Sequence, residues 1–269
     1  MKDFFDFTGK TVLITGGTQG IGLACGLAFA KLGATCILTY RWGSVEEHDV
    51  QAEFIAQAAK APIFLQADVA DEADTVNLFK TLLKQGLSVD IFVSNATGSV
   101  TIHSLDDLTQ RALLSSIHYG VWPTIDYLKQ MKVVFGHFPR YTVAISTTGI
   151  DRYTRHYDLV AASKASLETL CRYLAFRLKN EDARVNIVRT RAVETESMKA
   201  VVGNDLQHLA QKAGATQHLM TADEVAGSVV SLCSGLLDDM NGQVLTVDRG
   251  GLFSDNMSRL FSERETLGL

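Results

Sequence analysis

Thr11-Val12-Leu13-Ile14-Thr15-Gly16-Gly17-Thr18-Gln19-Gly20-Ile21-Gly22 is a β-branched apolar run that passes directly into a glycine-rich turn. Past the turn, Ile21, Ala24, Cys25, Ala28, Phe29 and Leu32 recur at steps of three and four, the spacing of one helix face. Gly33 closes that pattern as a C-cap. A second apolar run, Thr35–Tyr40, follows at once. Strand, glycine loop, helix and strand within about 30 residues make a dinucleotide-binding βαβ unit. The glycines let the backbone turn sharply and approach a pyrophosphate, whose charge rests on the free N–H groups of the helix start. Gly16, Thr18, Gln19, Gly20, Ile21 and Gly22 are therefore candidate cofactor contacts.

The end of the second run selects the cofactor. A carboxylate there bonds the ribose 2′-hydroxyl of NAD, whereas an arginine accommodates the 2′-phosphate of NADP. Here Tyr40-Arg41-Trp42-Gly43-Ser44 carries no acid before Glu46. Arg41 offers a charge-assisted clamp with Tyr40 and Ser44 beside it, so NADPH is the expected cofactor.

Outward from this unit the alternation continues. Helices are expected over 50–60, 71–85, 159–178 and 222–234, and strands over 62–66, 89–93, 142–146, 184–188 and 242–248. Residues 105–132 form a long apolar segment in which Pro123 marks a kink or turn. The pattern predicts an α/β fold, a doubly wound seven-stranded parallel sheet of Rossmann type, as one domain over 1–269. Weak periodicity over 194–221 predicts a mobile segment over the site, and residues 252–269 an arm.

Composition narrows the function. A net charge of −5 argues against nucleic acid or an anionic membrane as partner. No run of about 18 apolar residues predicts a transmembrane helix, and the acidic start lacks a signal-peptide pattern, so a cytoplasmic protein is expected. Cys25, Cys36, Cys171 and Cys233 are scattered without metal-ligand spacing; buried thiols and no metal are expected.

Chemistry concentrates in His156-Tyr157-Asp158-Leu159-Val160-Ala161-Ala162-Ser163-Lys164. Lys164 stands seven positions after Tyr157, about two helical turns, so both side chains face one side roughly 10 Å apart if the helix reaches back that far. Tyrosine and lysine at such spacing are more often a packing residue and a solvated charge; the upstream βαβ unit raises their interest.

The T-G-x-x-x-G-x-G spacing of the loop resembles the short-chain dehydrogenase/reductase family, over roughly residues 8–251. By that resemblance Asp68-Val69 holds the adenine, and Asn95 and Ala96 of Ser94-Asn95-Ala96-Thr97-Gly98 lie behind the cofactor. Val193 and Thr195, after the sixth strand, join the cofactor set. The family's usual donor, a tyrosine four residues before the lysine, is replaced by Val160, and its helix asparagine by Ile117. The remaining Tyr157-x6-Lys164 is similar to the enoyl-acyl-carrier-protein reductases of type III, which are NADPH-dependent. The resemblance implies that Lys164 binds the nicotinamide ribose, Tyr157 bonds the enolate oxygen and Ser146 adds a polar contact. Tyr153 is a rival donor, and Arg191 stands where small residues are usual, near an acidic group of substrate or cofactor. The expected substrate is an acyl thioester, on acyl carrier protein or coenzyme A, of a fatty-acid or polyketide pathway. Two other readings stay open: a keto reductase using Tyr157 or Tyr153, and a cofactor-binding sensor or scaffold with eroded chemistry. Surplus apolar surface on 105–132 and 159–178 predicts a homodimer or homotetramer, and Arg249 is expected at a subunit contact.

Overall fold

The computed structural model of the chain describes residues 4–41, 46–196, 198–199, 206–212, 216, 219–253, 255, 258 and 264. Strands β1 (Thr11–Thr15), β2 (Thr35–Tyr40), β3 (Ile63–Gln66), β4 (Ile91–Ser94), β5 (Tyr141–Thr147), β6 (Arg184–Thr190) and β7 (Val244–Val247) form one sheet. Its order is β3-β2-β1-β4-β5-β6-β7, and every pairing is parallel. All five residues of β1 are buried, as a strand covered on both faces requires.

The helices are α1 (Gly20–Lys31), α2 (Glu47–Ala56), α3 (Glu72–Lys84), α4 (Gln110–Gly120), α5 (Trp122–Phe135), α6 (Asp158–Arg177), α7 (Leu206–Lys212) and α8 (Ala222–Cys233). On one face of the sheet, Cys25 and Phe29 of α1 and Val225 and Val229 of α8 pack with Val12, Ile14 and Val188. On the other, Leu78, Phe79 and Leu82 of α3 and Tyr127 and Met131 of α5 cover Leu13 and Phe92, while Leu167 and Cys171 of α6 cover Val185 and Ile187. Side chains of each strand thus alternate between two apolar layers.

This order places the site. The chain steps outward from β1 to β3 on one side and from β4 to β7 on the other. The carboxyl ends of β1 and β4, paired through Val12–Ile91, Leu13–Phe92 and Ile14–Val93, flank the switch point where doubly wound sheets bind ligands.

Several expectations shift. The 105–132 segment is two helices, α4 and α5, broken at Val121, with Pro123 in the first turn of α5. Proline lacks an N–H to continue α4 but suits a helix start. The second helix runs Glu47–Ala56 rather than 50–60. Much of 194–221 and of the 252–269 arm lies outside the described residues, as does Ser44. Within the first, α7 forms and Val193 bridges Met220. Arg249 pairs with Glu224 of its own chain and donates to the Leu219 carbonyl. All four cysteines are buried free thiols. Among the described residues no helix is long and apolar enough to cross a membrane, and no cluster of His, Cys, Asp or Glu could hold a metal ion.

Candidate active site

The glycine turn is built to a tolerance of atoms. Gly16 and Gly20 have φ of +61° and +55°, a backbone region that side chains disfavour. A Cβ on Gly22 would strike the Gly16 carbonyl oxygen and come within 2.7 Å of Asn95 Nδ2; one on Gly17 would lie 2.8 Å from Leu38. Asn95 Nδ2 donates to the carbonyls of Thr15 and Gly16 at 3.0 Å each. Thr15 Oγ1 in turn accepts from the backbone N–H of Asn95 at 3.0 Å and of Ala96 at 3.1 Å. Four hydrogen bonds therefore lock the end of β1 to the end of β4. Helix α1 opens at Gly20 with Gln19 giving no side-chain cap, and its first turn holds no acid. Its leading N–H groups and positive dipole end are suited to a pyrophosphate. Thr18 is buried, Ile21 is half-buried, and Thr195 lies 3.3 Å from the place of a Gly20 Cβ, so Thr195 stands against the turn. The cradle fits a dinucleotide.

At the carboxyl ends of β2 and β3, Arg41 Nε lies 3.1 Å from Asp68 Oδ2, and its guanidinium stands 5.6 Å from the centre of the Tyr119 ring. Tyr119 also donates its hydroxyl to Asp68 Oδ2 at 3.4 Å. Asp68 is held by further bonds, its N–H to Asp74 Oδ2 and its Oδ1 to the Ala70 N–H, and Val69 beside it is buried. Tyr40 bonds Glu47 at 2.5 Å. Arg41 and Asp68, read separately from the sequence, stand together as an ion pair that the sequence reading did not name; Tyr119, the aromatic wall beside them, was not foreseen either.

At the other end, Tyr157 is the residue before α6, not part of it, with φ −110° and ψ 7°. Its ring lies against Gly149, where a Cβ would sit 2.7 Å from Tyr157 Cε1. Burial pushes the Tyr157 phenol up, and the Thr147 side chain partly opposes that push. Lys164 is buried at 5% exposure, and desolvation pushes its ammonium down to about 8, with Cys171 and Glu168 opposing. A cleft of about 330 Å³ opens beside Tyr157, lined by Gly149, Asp151, Arg152, Tyr153, Asp158 and Ala161 among others. Tyr153 is on its rim, 88% exposed.

Two expected residues lie elsewhere. Ser146 is buried and donates to Glu168 Oε1 at 2.6 Å. Neighbouring strand residues face opposite sides, and it is the Thr147 side chain that acts on the Tyr157 phenol. Arg191 packs beneath Gly251 rather than lining the cleft. Sequence reading also missed Arg189, whose guanidinium holds Glu168 at 2.5 Å and Asp151 at 2.5 Å. A cation between apolar positions of an inner strand was the available signal.

Residues 16–251 match a family model described as enoyl-(acyl carrier protein) reductase. An NADH enoyl-acyl-carrier-protein reductase, FabI of Aquifex aeolicus, is 25% identical over 248 residues, 90% of this chain and 91% of that one. The 7alpha-hydroxysteroid dehydrogenase of Escherichia coli K12 is 24% identical, covering 93% and 97%. A solved short-chain dehydrogenase from Burkholderia cenocepacia, in complex with NADP, superposes with a TM-score of 0.78 at 29% identity, covering 91% and 99%.

Proposed function

Because the chain belongs to the short-chain dehydrogenase/reductase superfamily, in the family described as enoyl-(acyl carrier protein) reductase, we propose that it reduces the C=C bond of an enoyl thioester with NADPH. The observation that carries this reading is the pairing of Tyr157, seated on Gly149 at the cleft, with the buried Lys164, while position 160 offers only a valine. The A. aeolicus relative, by its name an enoyl reductase, supports it.

NADPH, when bound, supplies the hydride that adds to the β-carbon of the substrate. Negative charge then builds on the thioester oxygen, and Tyr157 donates its phenol hydrogen to that oxygen. Burial holds the phenol protonated at neutral pH, which suits a donor to an enolate. Lys164 places positive charge behind it and bonds the nicotinamide ribose. Gly16, Thr18, Gln19, Gly20, Ile21, Gly22, Asn95, Ala96, Val193 and Thr195 form the remaining cofactor contacts, with Tyr40, Asp68 and Val69 at the adenosine end. Consumption of NADPH with a crotonyl thioester tests this reading.

Keto reduction is the second reading, favoured by Tyr153 on the rim of the cleft and by the hydroxysteroid dehydrogenase relative.

Arg41 supports the NADPH preference: its cation already stands at the carboxyl end of β2, and no acid occupies that place. Arg41→Ser is expected to weaken NADPH binding about 10- to 100-fold, the worth of a charge-assisted contact, with NADH binding within about twofold. Fluorescence titration of both nucleotides measures it. An equal loss for both would place the 2′-phosphate elsewhere.

A second copy of the chain is the proposed partner of the outer face of α4 and α6. Leu113, Leu114, Leu170, Tyr173 and Phe176 are exposed there on two helices that pack together. So much apolar surface on one face marks an association site. Light scattering at micromolar concentration is expected to give a dimer or tetramer mass; a monomer mass contradicts it.

A further inference from the structure

An ion pair beneath α6 reaches the wall of the cleft. Arg189, on β6 directly across from Ser146 of β5, extends into the layer beneath α6. Its Nε donates to Glu168 Oε1 at 2.9 Å and its Nη2 to Glu168 Oε2 at 2.5 Å, a two-pronged grip on a carboxylate only 3% exposed. Ser146 adds a third bond to that carboxylate at 2.6 Å. Two charges withdrawn from water are costly unless fully bonded, and a well-packed apolar pair would serve stability as well. Stability alone therefore does not account for them.

Both ends of the pair lead to the site. Glu168 stands four residues after Lys164 on α6, one turn along the same face. The free prong of Arg189, Nη1, donates to Asp151 Oδ2 at 2.5 Å. Asp151 closes the short 3-10 turn Thr148–Ile150, and its N–H bonds the Thr148 carbonyl. That turn carries Gly149, the seat of the Tyr157 ring, and residues 149–154 wall the cleft.

We propose that Arg189 is a positioning residue: by gripping Glu168 behind Lys164 and Asp151 behind Gly149, it fixes the Tyr157 seat relative to the lysine. The proposal deepens the reading of Tyr157 as the donor and rests on it for its catalytic consequence. Asp151 is the useful handle, because it is half-exposed and its loss leaves the buried Arg189–Glu168 grip in place.

The test labels the seven tyrosines of the full-length protein with 3-fluorotyrosine and assigns the Tyr157 fluorine signal by its loss in Tyr157→Phe. In Asp151→Asn, the Tyr157 signal is expected to shift or broaden while the signals of Tyr40, Tyr119, Tyr127, Tyr141 and Tyr173, which lie outside the cleft wall, keep their positions, and Asp151→Glu, which retains the anion, is expected to restore it in part. With whichever thioester the protein reduces, kcat is expected to fall about tenfold with the NADPH KM unchanged, as for one weakened charge-assisted bond. A Tyr157 signal in Asp151→Asn identical to that of the unaltered protein would overturn the proposal. The fluorine measurement needs no substrate, so it decides the positioning role even if neither enoyl nor keto thioesters are reduced.

Discussion

Tyr157→Phe is expected to lower kcat for enoyl thioester reduction about 100- to 1,000-fold while NADPH binds within about twofold of its ordinary affinity. The size follows from removing one preorganised donor to a developing oxyanion, ~3–4 kcal/mol of transition-state stabilisation. The direction follows from geometry. The ring is wedged against Gly149, so phenylalanine keeps the packing and loses only the hydroxyl. No nearby group replaces it: Val160 has no proton to give, and Tyr153 is held at the rim. The pH profile carries a second signature. Lys164 is charged below about 8 and loses its proton as pH rises past that value, so turnover is expected to decline on the alkaline side from there. Steady-state rates and fluorescence titration on both proteins check these outcomes. A Tyr157→Phe protein with undiminished turnover removes the tyrosine from the mechanism.

Gly22→Ala is expected to abolish measurable cofactor binding and to destabilise the fold by about 1–3 kcal/mol, the usual cost of forcing one extra methyl into a packed site. The methyl would collide with the Gly16 carbonyl and with Asn95 Nδ2, the atoms that lock the glycine turn to β4. Relief of the clash must break that lock or tilt α1, and either change spoils the cradle. Gly227→Ala in α8 is the matched control. A Cβ there meets nothing within 4 Å, so the substitution is expected to stabilise by ~0.5–1 kcal/mol through helix propensity and to leave binding unchanged. Denaturant melts and nucleotide titrations of the two variants separate the steric effect from a general intolerance of alanine.

The parts of this molecule that depend on neighbours in sequence were readable from it. The run from Thr11 to Tyr40 contains its own strand, turn, helix and strand, so βαβ followed from local pattern, and with it the parallel sheet. Arg41 and Asp68 were each placed at a strand end, and strand ends are where the fold gathers a site. What escaped notice depends on parity or on partners far along the chain. Ser146 and Thr147 look interchangeable as strand-end hydroxyls, yet one residue of register puts them on opposite faces of the sheet. Arg189 looks like a solvated charge until Glu168, 21 residues earlier, is seen beneath it. The helix was expected to begin near Leu159, and α6 opens one residue earlier, at Asp158, because helix boundaries depend on capping and tertiary packing. Tyr157 thus stands just ahead of the first turn, with its ring against Gly149.

The central claim is that the missing hydroxyl at Val160 and the seated Tyr157 direct this reductase to C=C rather than C=O bonds. The measurement that meets it head-on is NADPH consumption by the purified protein with crotonyl thioester and with acetoacetyl thioester, side by side, with the products identified by mass spectrometry. Butyryl thioester is expected from the first and no reduction of the second. Reduction of acetoacetyl thioester to the 3-hydroxy product, with crotonyl thioester untouched, contradicts it.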